Sequence, residues 1–304
     1  MLNKYTFKEL TWVDLESPTD EEVRSIVEEY KINPRIGEEL RNPTHRSKMD
    51  AYKDTLFLVL HFPAFKHSHN GNTNQEVDFI LGKDFMITVH YDSIDTLHKF
   101  SKEFEVNTIL EKNNFGDHAG HLFFFLLRKL YKSVSHELEY IEALLSEIEN
   151  SIFQGEEREM VRDISEVSRV LLDFRQTVGG HREAMESLVL VGIEFYGVDF
   201  NYHLKTIALD QGRVYHSIEH LRETIFDLRE TNMALLSTNQ NEAMKVLTIM
   251  AFVTFPLSLI ASIFGMNTEY LPIVGEKNDF WIVMGIMATL TLIFFIFFKH
   301  KRWL

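Results

Sequence analysis

Two runs of nineteen residues without a single charge, Val246–Phe264 and Phe280–Phe298, lie near one end of this 304-residue chain. At 1.5 Å per residue a helix of that length covers roughly 28 Å, close to the hydrocarbon thickness of a bilayer. The pair therefore reads as two transmembrane helices joined by the segment 265–279. The residues before it are polar and charge-rich and read as water-soluble.

The flanks set an expected orientation. Lys299, His300, Lys301 and Arg302 close the second run, and Lys245 precedes the first. The connecting loop carries Glu269, Glu276 and Asp279 against Lys277. By the positive-inside rule both termini face the cytoplasm and the loop faces out. Trp281 and Trp303 bracket the second run like interfacial anchors. The start, Met1-Leu2-Asn3-Lys4, has no charged n-region or cleavage site and leads into a strand-like stretch, so no secretory signal is expected. Zero cysteines exclude disulfides and thiolate metal sites. A net charge of −14 without a basic face argues against a nucleic-acid partner.

The first 115 residues read as an α/β domain. Thr11–Leu15 is strand-like, and Thr19 with Glu22 forms a capping box ahead of the apolar stripe Val23, Ile26, Val27 and Tyr30. Thr55–Phe62 is a continuous apolar run, the pattern of a buried strand. Glu76–Leu81 and Phe85–His90 flank Gly82-Lys83-Asp84, a hairpin signal. Lys66–Gln75 reads as a polar loop.

Residues 116–199 read as a helical region. His118–Gln154 is periodic, with Leu122, Phe125, Leu126, Leu130, Val134, Leu138, Ile141, Leu145 and Ile148 on one side, and Gly155 breaks it. Helices are expected at Glu156–Val178, ending at Gly179-Gly180, and from about Arg182 to Leu190. From near Asn201 a last helix runs on, with no Gly or Pro between Arg213 and Pro256. A stalk helix of residues 200–264 would span roughly 90 Å from cytosol through bilayer, and it needs neighbours to be stable.

Asn241, Met244, Thr248, Ala251, Phe255, Ser258, Ser262 and Gly265 follow a spacing of three and four. They share one helix face that collects most of the first run's polar and small groups. Helix packing and pore lining both favour such a face. Two helices cannot enclose an ion path, so a pore needs several copies.

The stripe ends in Gly265-Met266-Asn267. This tripeptide resembles the CorA family of divalent-cation channels, and so does the block Asn241–Thr248 running through Pro256. Trp12–Leu15, Val77–Lys83 and Ile87–His90 resemble the same family. The resemblance implies an α+β cytosolic domain, a helical stalk and two transmembrane helices assembled as a homopentameric funnel in the inner membrane. It implies a selectivity filter at Gly265, Met266 and Asn267, and a pore lined by the stripe together with Leu247. Its cargo would be Mg²⁺, with Co²⁺ or Ni²⁺ also carried, and no resident cofactor is expected.

The chemistry agrees with that implication. Mg²⁺ dehydrates reluctantly, so a channel does best by recognising the hydrated ion. A ring of five Asn267 carboxamides offers acceptors and donors to its water shell. Gly265 is expected to turn the helix end at positive φ. The helix C-terminus carries about −0.5 charge towards the entrance. Glu269, Glu276 and Asp279, offset by Lys277, add −2 per chain and −10 in a pentamer. Met244, Leu247 and Phe255 are candidate dewetting constrictions. No nucleotide-binding motif is visible, and a membrane potential supplies a divalent ion about 4.6 kcal/mol per 100 mV.

Departures from the family pattern leave a second reading open. Ile273 stands where many members have a glutamate after the tripeptide, and Phe255 where methionine is common. Thr206 falls where a regulatory stalk aspartate is expected, with Asp210 one turn on as the candidate regulatory metal ligand. The sister activity is zinc transport of the ZntB type. His216 with His220, and His67 with His69, have spacings that suit zinc but lack completing ligands. A membrane-anchored sensor is a third reading. The paired acids Glu156-Glu157 and Asp20-Glu21-Glu22 belong in helix N-terminal turns, and no nucleophile context supports an enzyme.

Overall fold

A computed structural model describes residues 1–44, 46–63, 74–110, 116–267, 273, 278–301 and 303. The chain divides into two compact units, Met1–Arg229 and Glu230–Leu304.

In the first unit the strands are β1 (Leu2–Phe7), β2 (Leu10–Glu16), β3 (Lys48–Ala51), β4 (Leu56–Pro63), β5 (Asn74–Leu81) and β6 (Phe85–His90). They form one sheet ordered β1-β2-β6-β5-β4-β3. Every neighbouring pair is antiparallel except β2 with β6. A parallel pair needs a long crossover, and everything from residue 17 to residue 84 supplies it. The expected hairpin joins β5 to β6, where Gly82 N donates to Phe85 O at 2.8 Å. A Cβ on Gly82 would sit 2.2 Å from the Phe85 ring, so only glycine fits. β5 starts at Asn74, so Asn74 and Gln75 are strand rather than loop. The rest of the expected loop, His67 and His69 included, lies outside the described residues.

The crossover carries α1 (Asp20–Glu29) and α2 (Pro34–Glu39). α1 begins with the predicted capping box: Thr19 N donates to Glu22 Oε2 at 2.8 Å, and Glu22 N donates to Thr19 Oγ1 at 3.3 Å. One sheet face packs Val13, Leu15, Phe57, Val59, Ile80, Ile87 and Val89 against Val23, Ile26, Ile36 and Leu40. β4 is buried from Leu56 to Leu60, as its unbroken apolar run requires.

The other face is covered by α3 (Asp95–Ile109) and α4 (Ala119–Phe153). Trp12 meets Phe100 and Phe104 edge-on at 5.2 and 6.0 Å, and Phe79 meets Phe123 at 5.3 Å. The predicted α4 stripe from Leu122 to Ile148 is buried, Phe125 being half-buried. Gly155, at φ 95, ends this helix pair's first member and admits α5 (Glu157–Gly179). α6 (His181–Tyr196) is longer than expected because Gly192 stays helical. Its bare Cα packs on Leu204, whose Cδ1 would lie 2.8 Å from an added Cβ. Gly197, at φ 98, stops it instead. A short 3-10 turn, Val198–Phe200, then leads into α7 (Asn201–Phe264), a single helix of 64 residues. The boundary between the two units falls inside it. α8 (Asp279–His300) completes the second unit.

Candidate ion-conduction site

The apolar windows of α7 and α8 have mean hydropathies of 2.2 and 2.4, and neither is buried within the single chain. A water-soluble protein would cover such helices in its core, so their exposure points to lipid or to other copies. They run antiparallel, Phe252 meeting Phe298 at 6.4 Å between ring centroids. Nearer the connection, Ile260 shares a groove with Ile282, Gly285, Ile286 and Thr289.

That pairing uses a definite face of α7. Ile249, Val253, Pro256, Leu257, Ile260 and Phe264 are half-buried, and they repeat at helical spacing. At 100° per residue, Phe255, Ser258 and Ser262 lie roughly 140–160° away from Ile260 around the axis. Asn241, Met244, Leu247, Phe255, Ser258, Ser262 and Gly265 are exposed, and Met244 and Phe255 keep 61% and 72% of their surface. Thr248 and Ala251 are half-buried, and the Thr248 hydroxyl donates back to Met244 O at 2.7 Å. The predicted stripe is thus turned away from α8.

The helix end differs from expectation. Gly265 is not among the described positive-φ glycines, which are Gly116, Gly155 and Gly197. The helical ladder instead continues through it: Gly265 N donates to Ala261 O at 2.9 Å and Met266 N to Ile263 O at 3.3 Å. A last turn tightened in this way needs no left-handed cap. The use of glycine is steric, because a Cβ here would stand 3.0 Å from Ala261 O. Met266 and Asn267 follow immediately, both exposed. Of the expected external acids, Asp279 opens α8 and accepts from Phe280 N at 2.6 Å, where the helix dipole favours a carboxylate. Glu269 and Glu276 lie outside the described residues.

In the first unit, Asp210 has both carboxylate oxygens engaged. Arg128 Nε donates to Oδ2 at 2.8 Å and Arg213 Nη1 to Oδ1 at 3.2 Å. A cation at Asp210 would have to share the carboxylate with Arg128 and Arg213 or displace them. The Thr206 hydroxyl is turned onto its own helix, donating to Tyr202 O at 2.8 Å. His216 and His220 are exposed. Among the described residues, no three His, Asp or Glu side chains are grouped to hold a metal ion. The Arg128 partner of Asp210 was not foreseen from sequence: it stands 82 residues away, and only the packing of α4 on α7 brings it near.

An exposed pair of membrane-length helices, joined in sequence to a large charged α/β unit, defines an integral membrane protein. The family model described as "CorA-like Mg2+ transporter protein" matches residues 7–300, and the chain belongs to that family. A relative named "Cobalt/magnesium transport protein CorA" from Thermotoga maritima is 25% identical over 296 residues, covering 97% of this chain and 83% of its own length. The complete structure of the CorA magnesium transporter from Methanocaldococcus jannaschii superimposes with a TM-score of 0.85 at 20% identity, covering 100% of this chain and 95% of that one. The ZntB cytoplasmic domain from Vibrio parahaemolyticus gives 0.63 at 12% identity over 75% of this chain and 88% of its own. At these identities the two structures speak for the fold alone.

Proposed function

We propose that the protein is an electrochemically driven divalent-cation channel whose cargo is Mg²⁺, with Co²⁺ or Ni²⁺ as further ions. The observation that carries this reading is the stripe from Asn241 to Gly265, turned away from α8 and ending at exposed Asn267. Five copies arranged around one axis would place the stripes inward and the Asn267 carboxamides in a ring. That ring would hydrogen-bond the waters of a hydrated ion without stripping them. Ser258 and Ser262 offer hydroxyls along the path, while Phe255 and Met244 narrow it. Asp279, with Glu269 and Glu276 of the loop, would concentrate cations at the mouth. In this reading both termini are cytoplasmic and the membrane is the plasma membrane of the cell. The partners are four further copies, lipid and the ions, and no catalysis is involved.

The experiment is ion uptake into proteoliposomes, with Mg²⁺- and Zn²⁺-sensitive dyes in parallel and Asn267→Ala as the comparison. Mg²⁺ entry that follows an inside-negative potential and is lost in the variant supports the proposal. Zinc entry that requires a proton gradient, with little Mg²⁺ flux, would move the protein to the ZntB-like activity. Silence for both ions from an intact oligomer would favour a membrane-anchored sensor.

A further inference from the structure

Four buried side-chain nitrogen or oxygen atoms without a hydrogen-bond partner lie in one corner of the first unit. They are Nδ1 of His118, His121 and His203, and Oδ1 of Asn201. The corner is where the start of α4, the end of α6 and the first turn of α7 meet. His118 stacks on Tyr196 at 4.7 Å and 15°, and His203 stacks on Phe200 at 5.1 Å and 14°. His121 bridges them, its centroid 4.2 Å from His118 and 4.9 Å from His203. Phe124 closes the box edge-on to His203 at 4.7 Å. Glycines make the room: a Cβ on Gly116 would meet the His121 ring at 2.4 Å, and one on Gly120 the His118 ring at 2.9 Å.

Neutral imidazoles suit this box, since they stack as aromatics. Charged ones do not. Protonating both His118 and His121 would set like charges on rings whose centroids are 4.2 Å apart. The surrounding groups give little relief. On the segment entering α4, exposed Asp117 favours the charged form of both rings, and the His118 backbone carbonyl favours it for His121. From α6, the Tyr196 hydroxyl is committed to Gly82 O at 2.8 Å. The β5–β6 turn presents Lys83, whose carbonyl accepts from Ala119 N. Arg128 lies over the Phe124 ring at 5.3 Å, and Asp199 and Lys205 beside the cluster are exposed.

We propose that His118 and His121, packed against His203, form a proton-sensitive latch that holds the first turn of α7 to the start of α4 while neutral and releases it on acidification. Burial and the neighbouring imidazoles push His118 down to about 4 and lower His121 as well, so the latch is closed at neutral pH. The released element is the one that continues in sequence into the first apolar span, which gives the latch a mechanical consequence. The inference stands on the corner's packing and does not depend on which ion is carried.

Hydrogen exchange of the full-length chain in lipid nanodiscs tests it, read as protection factors corrected for intrinsic exchange at each pH. Between pH 7.5 and 4.5, protection of amides 119–124 and 201–206 is expected to fall by about tenfold or more, opening locally rather than globally. The double variant His118→Phe/His121→Phe keeps both aromatic rings without their titratable nitrogens and is expected to remove that fall. His118→Phe alone is the second variant, should the first disturb folding, and is expected to reduce the fall; H216F/H220F on α7 is expected to behave as wild type. Protection at this corner that stays constant over the pH range would overturn the latch. So would a fall that survives undiminished in both the double variant and His118→Phe.

Discussion

The Tyr131 hydroxyl lies 3.0 Å from His181 Nδ1, and on the far side of the same ring Nε2 lies 2.6 Å from the His61 carbonyl. A carbonyl can only accept, so Nε2 carries the proton, Nδ1 is the acceptor, and Tyr131 donates. The Tyr131 donation thus requires a neutral ring, while the His61 carbonyl accepts from either form and only partly offsets the burial. With His181 fully buried, charging it would aim a second N–H at a hydroxyl that has no other described acceptor, and its pKa is pushed down to about 4. The unfolded chain, titrating near 6.5, takes up this proton first, so stability is intact above pH 6.5 and is lost as pH falls towards 4. The loss from this site is about 3 kcal/mol in order of magnitude. Unfolding midpoints of the solubilised chain across that window should fall less steeply in His181→Asn than in wild type, and equal slopes would contradict the assignment.

A second buried network fixes the parallel strand pair. Asp14 and Thr88 are register partners on β2 and β6. Trp12 Nε1 donates to Thr88 Oγ1 at 3.0 Å, and that hydroxyl donates to Asp14 Oδ1 at 2.5 Å. Thr88→Val keeps the shape and deletes both bonds, orphaning an indole N–H and leaving the buried Asp14 carboxylate with His90 at 3.4 Å. The expected cost is about 2–4 kcal/mol. Thr88→Ser should recover most of it, which separates the hydroxyl from the packing.

The sequence signals that proved legible were those whose physics is local. The Thr19 capping box, the α4 stripe, the unbroken apolar run of β4 and the stop at Gly155 each depend on neighbours within a few residues. α2 and β3 were not seen: α2 is only six residues long, and β3 is a four-residue edge strand, Lys48-Met49-Asp50-Ala51, with half-exposed charges. α3 had its stripe of Leu97, Phe100 and Phe104, but its N-cap, Ile94, makes no side-chain cap bond to mark the start. In the candidate site, periodicity found the stripe, and the family resemblance singled out the tripeptide. Periodicity could not find that Arg128 engages Asp210, nor that His203 joins His118 and His121, because sequence separation hides contacts made by helix packing.

If Asp210 binds a regulatory cation, that ion and Arg128 compete for one carboxylate. Arg128→Gln frees Oδ2 and removes an exposed ion pair, at about 1 kcal/mol or less. The freed oxygen then becomes available to Mg²⁺. The expected result is a larger Mg²⁺-dependent rise in unfolding midpoint for Arg128→Gln than for wild type, erased when Asp210→Asn is added. A Mg²⁺ response that is the same in all three chains would remove Asp210 from metal regulation.

The stripe on α7 makes the sharpest demand, and the absence of cysteine from the chain allows it to be tested without background. Ser258 and Ser262 face away from α8, whereas Val253 and Leu257 are half-buried on the face that packs beside it. Single cysteines at these four positions, in chains reconstituted into liposomes, sample two opposite sides of one helix. A thiol reacts as thiolate, which forms readily in water and poorly in an apolar contact. A charged, membrane-impermeant thiol reagent should therefore modify Ser258→Cys and Ser262→Cys and abolish cation flux through them. Val253→Cys and Leu257→Cys should stay unmodified and conducting. Uniform protection of all four would mean that the stripe is a dry helix contact; uniform labelling would mean that the α7–α8 pair does not hold in the bilayer.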